Sequence, residues 1–120
     1  MNHPHIASRV RSHRKKAGLS QKDIARIVGI DEARVSRHER FGIVPPLSVA
    51  LGYEAVFGLP VKDLYPRFYE TIRQGIEERL AAMETELQQM NVKGRQATII
   101  ARKLEWCCER RNSTLGDLTR

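Results

Sequence analysis

The run Leu19-Ser20-Gln21-Lys22-Asp23-Ile24-Ala25-Arg26-Ile27-Val28-Gly29-Ile30-Asp31-Glu32-Ala33-Arg34-Val35-Ser36-Arg37-His38-Glu39-Arg40 holds two short polar-rich segments on either side of a glycine turn. Ser20 is followed three residues later by Asp23, a variant of the capping box that satisfies the free N–H groups of a new helix. Ile24, Ala25 and Val28 then make a short apolar stripe that Gly29 stops, which predicts a helix over residues 21–28. After the turn, Asp31 is placed to cap another helix, ending near Arg40. Its Val35 faces inward, while Glu32, Ala33, Ser36 and Arg37 point elsewhere.

Upstream, Ile6, Val10, Arg14 and Ala17 lie three or four residues apart, and Gly18-Leu19 closes the stretch, so residues 6–17 read as a first helix. Downstream, residues 41–46 read as a loop, and Leu47, Ala50, Leu51 and Phe57 support a fourth helix ended by Gly58 and Pro60. Residues 61–65 add a short fifth. Pro66 opens a longer segment in which Phe68, Ile72, Ile76, Leu80, Met83, Leu87 and Met90 form one apolar seam. Residues 91–94 break it before a last helix carrying Ala97, Ile100, Ala101, Leu104 and one of Cys107 and Cys108. The simplest outcome is an αα-hairpin over residues 66–111, which must pack on the N-terminal part or on another chain. Residues 112–120 read as a frayed tail. The expected division is therefore a domain at 1–65 and a helical hairpin with its tail at 66–120.

Charge is distributed unevenly along the 120 residues. Lys and Arg number 21 against 14 Asp and Glu, for a net charge of +7. Residues 1–22 hold Arg9, Arg11, Arg14, Lys15, Lys16 and Lys22 with no acid, whereas residues 70–90 hold Glu70, Glu77, Glu78, Glu84 and Glu86 against Arg73 and Arg79. A positive N-terminal unit suits a phosphate backbone, where each neutralised phosphate releases counterions. No apolar run approaches the roughly 20 residues needed to span a bilayer, and residues 1–5 lack the apolar stretch of a secretory signal, so the expectation is a cytoplasmic, nucleoid-associated protein without a membrane partner.

Two short helices joined by a glycine turn, the second with a polar face, form the layout of a helix-turn-helix, whose second helix enters a major groove about 12 Å wide. Here the sequence resembles the Cro/CI-type, or XRE-type, helix-turn-helix DNA-binding regulators. The matching strings are Leu19-Ser20-Gln21-Lys22-Asp23-Ile24-Ala25, Gly29-Ile30-Asp31, Val35-Ser36-Arg37-His38-Glu39-Arg40 and Gly58-Leu59-Pro60-Val61-Lys62-Asp63-Leu64. The resemblance implies an all-α chain: a five-helix, lambda-repressor-like domain, followed here by the hairpin.

The resemblance also implies roles. Gln21 matches a glutamine that bridges a phosphate and the recognition helix, and Arg14 and Glu39 match an ion pair tying the first helix to the third. Glu32, Ala33, Ser36 and Arg37 match positions that face bases. The chemistry fits, since Arg37 can fork onto guanine O6 and N7, Glu32 can accept from cytosine N4, and Ala33 can touch a thymine methyl. Lys22, Arg34 and Arg40 are placed for phosphates. The implied function is sequence-specific regulation of transcription, repression before activation, by a homodimer on a palindromic site. The seam residues, with Ile100 and Leu104, would supply or support the dimer contact.

Some residues depart from the pattern. Asp31 and Glu32 place two negative charges at a helix end aimed at DNA, Phe41 precedes Gly42 where the family has glycine, and Gly52 and Glu54 are unexpected inside the fourth helix. His3, His5, His13 and His38 lie on different elements and none stands at a ligand spacing with the cysteines, so no metal or other cofactor is expected. The adjacent cysteines read as core on a helix, and Trp106 as a packing residue. No catalytic constellation is recognisable, and no enzyme is expected. Two competing readings remain: an antitoxin-like or adaptor module that binds a protein partner through residues 66–111, and a non-specific nucleic-acid binder for which net charge suffices.

Overall fold

The computed structural model describes residues 7–40 and 42–118, with side chains through residue 113. Every regular element among them is a helix: α1 (Val10–Lys16), α2 (Gln21–Val28), α3 (Glu32–Arg40), α4 (Leu47–Phe57), α5 (Val61–Leu64), α6 (Pro66–Gln89) and α7 (Arg95–Leu118). They form two compact units, Met1–Thr71 and Ile72–Arg120. Ile6, His3, His5 and Phe41, each singled out in the sequence, lie outside the described residues.

Local chemistry accounts for the ends of the first helices. Helix α1 begins later than the apolar spacing predicts, because the backbone N–H of Arg9 donates to the carbonyl of Leu64 at 2.8 Å, which ties the preceding segment to the end of α5. The capping box of α2 is reciprocal: Ser20 Oγ accepts from the Asp23 N–H at 3.0 Å, and Asp23 Oδ2 accepts from the Ser20 N–H at 2.9 Å. Those bonds favour the ionised carboxylate and hold Asp23 below the usual carboxylate range. Gly29 ends α2 at φ +85°, a left-handed conformation that costs a residue without a Cβ little. Asp31 Oδ1 accepts from the Arg34 N–H at 2.8 Å and so caps α3.

The core of the first unit joins Val10 of α1, Ile24 and Ala25 of α2, Val35 of α3, Val49 and Tyr53 of α4, and Leu64 and Tyr65. Full burial of a side chain such as Ile24 contributes roughly 1.5–3 kcal/mol, so a few such residues carry most of this small domain's stability. Helix α4 turns Val49, Ala50 and Tyr53 inward, whereas Leu47 and Leu51, expected to support its apolar side, are exposed. A step of two residues rotates a helical position by about 200°, so facing Val49 and Tyr53 to the core sends Leu47 and Leu51 outward.

Gly52 and Glu54 find their reasons in this packing. A Cβ on Gly52 would sit 3.0 Å from Val28 Cγ1, so the missing side chain is what lets α2 and α4 approach. Glu54 Oε1 accepts from the Val61 N–H at 2.9 Å and satisfies the first turn of α5.

In the second unit, Leu80 and Leu87 of α6 and Cys107 of α7 are buried, while Ile100 and Leu104 are half-buried. Arg111 donates to Glu77 at 3.0 Å and also to Glu84, pinning α7 to two successive heptad positions of α6. The rest of the seam is uneven: Ile72, Ile76, Met83 and Met90 are exposed, and Phe68 packs instead on the core of the first unit. Trp106 is not a packing residue, for it is 55% exposed. The expected tail, residues 112–120, is helical where it is described: α7 continues through Leu118, since each residue added to a formed helix gains a hydrogen bond without a new nucleation cost, and residues 119–120 lie outside the described residues. Among the described residues no helix is long and apolar enough to cross a membrane.

Candidate nucleic-acid interface

Glu39 sits at the junction of three helices. Its side chain is fully buried, and Arg14 from α1 meets it with two parallel bonds, Nε to Oε2 at 2.8 Å and Nη2 to Oε1 at 3.0 Å. Gln21, the first residue of α2, donates its side-chain amide to the same Oε1 at 3.2 Å. Arg14 Nη1 also donates to the carbonyl of Leu19 at 2.9 Å, which holds the turn between α1 and α2. The hydrogen bonds to Glu39 raise the pKa of the Arg14 guanidinium above its ordinary value, against the opposing effect of burial. A forked pair of this kind fixes orientation as well as energy.

A second tie holds the other side of α3. His38 is buried, with Nδ1 2.7 Å from the hydroxyl oxygen of Tyr53 and the two rings edge to face. Burial, aided by the charges of Arg37 and Arg34, lowers the pKa of His38, so the ring is held neutral. Burial likewise pushes the Tyr53 phenol far above its usual value. Along the chain His38 stands only in the family string and among the histidines at no ligand spacing. The missing signal was Tyr53, because a buried imidazole needs a hydrogen-bond partner and α4 brings one 15 residues away.

Held on both sides, α3 exposes Glu32, Ala33, Arg34 and Arg37, with Ser36 half-buried beside them and Arg40 exposed at its end. Arg34 Nε lies 3.3 Å from Asp31 Oδ2, a weak exposed pair. Arg37 Nε donates at 3.4 Å to the carbonyl of Ala33, a long bond that leaves most of its guanidinium donors facing outward. Lys22 is exposed on α2.

A groove of about 320 Å³ opens where α1, α2 and α3 meet, lined by Arg11, Arg14, Ser20, Gln21, Glu32, Glu39 and Arg40. It joins the free N–H groups at the start of α2 to exposed guanidinium groups, the combination that suits a phosphate. Arg11 was not among the candidate phosphate residues. Its spacing of three from Arg14 was the available signal, since it puts both side chains on one side of α1. Residues 9–40 carry ten Lys and Arg against four Asp and Glu, so +6 of the net charge of +7 lies on the segment that builds this surface. Such an arrangement can bind a polyanion along the groove and offer hydrogen-bond donors and acceptors from α3 to base edges.

Residues 10–64 match the model of the helix-turn-helix family, and this segment is a helix-turn-helix of the Cro/CI, or XRE, type. The match spans α1 to α5 and ends before α6. No curated protein and no solved structure matches the chain.

Proposed function

We propose that the chain reads double-stranded DNA sequence-specifically as a homodimer on a palindromic operator, and represses transcription in the cytoplasm by occluding a promoter at the nucleoid. The observation that carries this reading is the double anchoring of α3, by Glu39 to Arg14 and Gln21 on one side and by His38 to Tyr53 on the other. Anchors of this kind hold a recognition helix in one pose, which discrimination between base pairs requires.

In this reading Arg37, Glu32, Ala33 and Ser36 face base edges, and Gln21, Lys22, Arg34 and Arg40 meet phosphates. Glu32 and Asp31 discriminate rather than attract, because a carboxylate near the backbone penalises every duplex that does not offer it a donor. Two copies place their recognition helices about 34 Å apart, one turn of DNA.

Selection of duplexes from a random pool by the purified protein, at about 150 mM salt, tests the proposal. An enriched inverted repeat is expected. Binding of all sequences alike, falling steeply with salt, would replace the operator reader by a non-specific binder.

A further inference from the structure

Helix α6 repeats its apolar residues every seven positions in two rows: Leu80 and Leu87 are buried, whereas Ile76 and Met83, followed by Met90 just past the helix end, are 38–53% exposed. Helix α7 turns Ala97, Ile100, Leu104, Cys107 and Arg111 inward in steps of three and four. The bonds of Arg111 to Glu77 and Glu84 set which sides of the two helices face each other. In an antiparallel pair with those sides together, helical geometry brings the open row of α6 to the same flank as Ile99 and Trp106, which lie seven residues apart on the outer side of α7. Ile72 continues that flank, and all six side chains are exposed.

At roughly 100 Å² of open apolar surface each, these six residues offer about 600 Å², the upper end of a monomer's largest patch and close to the apolar share of an interface burying about 800 Å² per partner. The hairpin lacks a core of its own to match. Two helices of 24 residues bury only Leu80, Leu87 and Cys107 among the described apolar side chains. Area favours a copy of itself as the occupant: two such flanks laid together bury about what a stable dimer needs, and Arg111, Glu77 and Glu84, already paired within the hairpin, leave no strong charge of one sign to oppose it.

We propose that this flank, centred on Met83 and Trp106, is where a second copy of the chain docks, giving a four-helix bundle from two hairpins. The inference deepens the dimeric reading above and rests on it. It excludes the flank built around Gln88 and Ala101, exposed residues on the other side of the hairpin.

Sedimentation of the full chain without DNA tests it. The wild type should sediment at twice 13.8 kDa at micromolar concentration, the Met83→Glu/Trp106→Glu variant at 13.8 kDa with its helicity retained, and Gln88→Glu as the wild type. Trp106→Ser alone should weaken self-association about tenfold or more, as loss of a central aromatic anchor does. Because Trp106 is the sole tryptophan, wild-type emission should shift to the red on dilution through the dissociation range, a readout that needs no substitution. A monomeric wild type, a double variant that stays dimeric, or a dimer whose emission ignores dilution would overturn the inference. A dimer lost in the double variant, from a protein that enriches no DNA motif, would uphold this interface and count against the reader proposed above.

Discussion

Nδ1 of His38 and the hydroxyl of Tyr53 meet at 2.7 Å in the buried seam between α3 and α4. Each satisfies the other's polar atom, and together they join the helix with the exposed polar face to the helix behind it. Tyr53→Phe keeps the ring and removes the hydroxyl, leaving a buried imidazole nitrogen without its partner. Stability should fall by about 1–3 kcal/mol, read from the urea midpoint at unchanged slope.

The same pair makes stability depend on pH. The ordinary His pKa is 6.5, and burial holds that of folded His38 lower, so below about pH 6.5 the unfolded chain takes up a proton that the folded chain refuses. The contribution of neutral His38 is complete above 6.5 and is lost as pH falls toward the folded value. Melting temperature should decline from about pH 7 to about pH 5, and His38→Gln, though less stable at neutral pH, should give a flatter profile. Identical slopes for the two proteins would remove His38 as the titrating group.

Arg14 and Glu39 form the counterpart on the other side of α3. Arg14→Met leaves a fully buried carboxylate with Gln21 as its remaining side-chain donor and should cost about 3–5 kcal/mol. Replacing both partners by methionine should recover part of that loss, because no uncompensated charge remains. A double-mutant cycle in chemical denaturation measures the coupling.

On DNA, Arg37→Ala should cost about 1–3 kcal/mol and relax preference at one position per half-site. Lys22→Ala should instead weaken all duplexes about equally and reduce the salt slope by about 1. Titrations against the selected operator and its single-base variants separate the two, and equal losses on every duplex for Arg37→Ala would end its assignment as a base reader.

Gly52→Ala is a packing test. The new methyl would sit 3.0 Å from Val28 Cγ1, so α2 and α4 must move apart or Val28 must rotate, at a cost of about 1–3 kcal/mol by thermal unfolding. Combining it with Val28→Ala should return part of the loss, which a change in helix propensity alone would not do.

The helix ends around Ser20, Asp23, Gly29 and Asp31 were legible along the chain because a cap or a left-handed glycine acts within four residues of the end it makes. The ordered motifs of residues 19–64 carry the resemblance to the Cro/CI-type helix-turn-helix, which the match over residues 10–64 bears out, and that resemblance pairs Arg14 with Glu39. Periodicity also located both long helices, but it could not say which apolar residues were covered. Met83 and Leu87 share one seam in sequence, yet one is exposed and the other buried, because α7 covers one side of α6.

The remaining features depend on separations no local pattern encodes. His38 needed Tyr53, Gly52 needed Val28, Glu54 needed the N–H of Val61, and Arg11 needed the start of α2 to become part of a groove. Backbone signals such as caps and turns are satisfied by neighbours in the chain, so residue order alone establishes where helices begin and end. Which faces meet, and which polar groups find partners once buried, follows from packing between elements, where close fit and complete hydrogen bonding select one arrangement among those the helices allow.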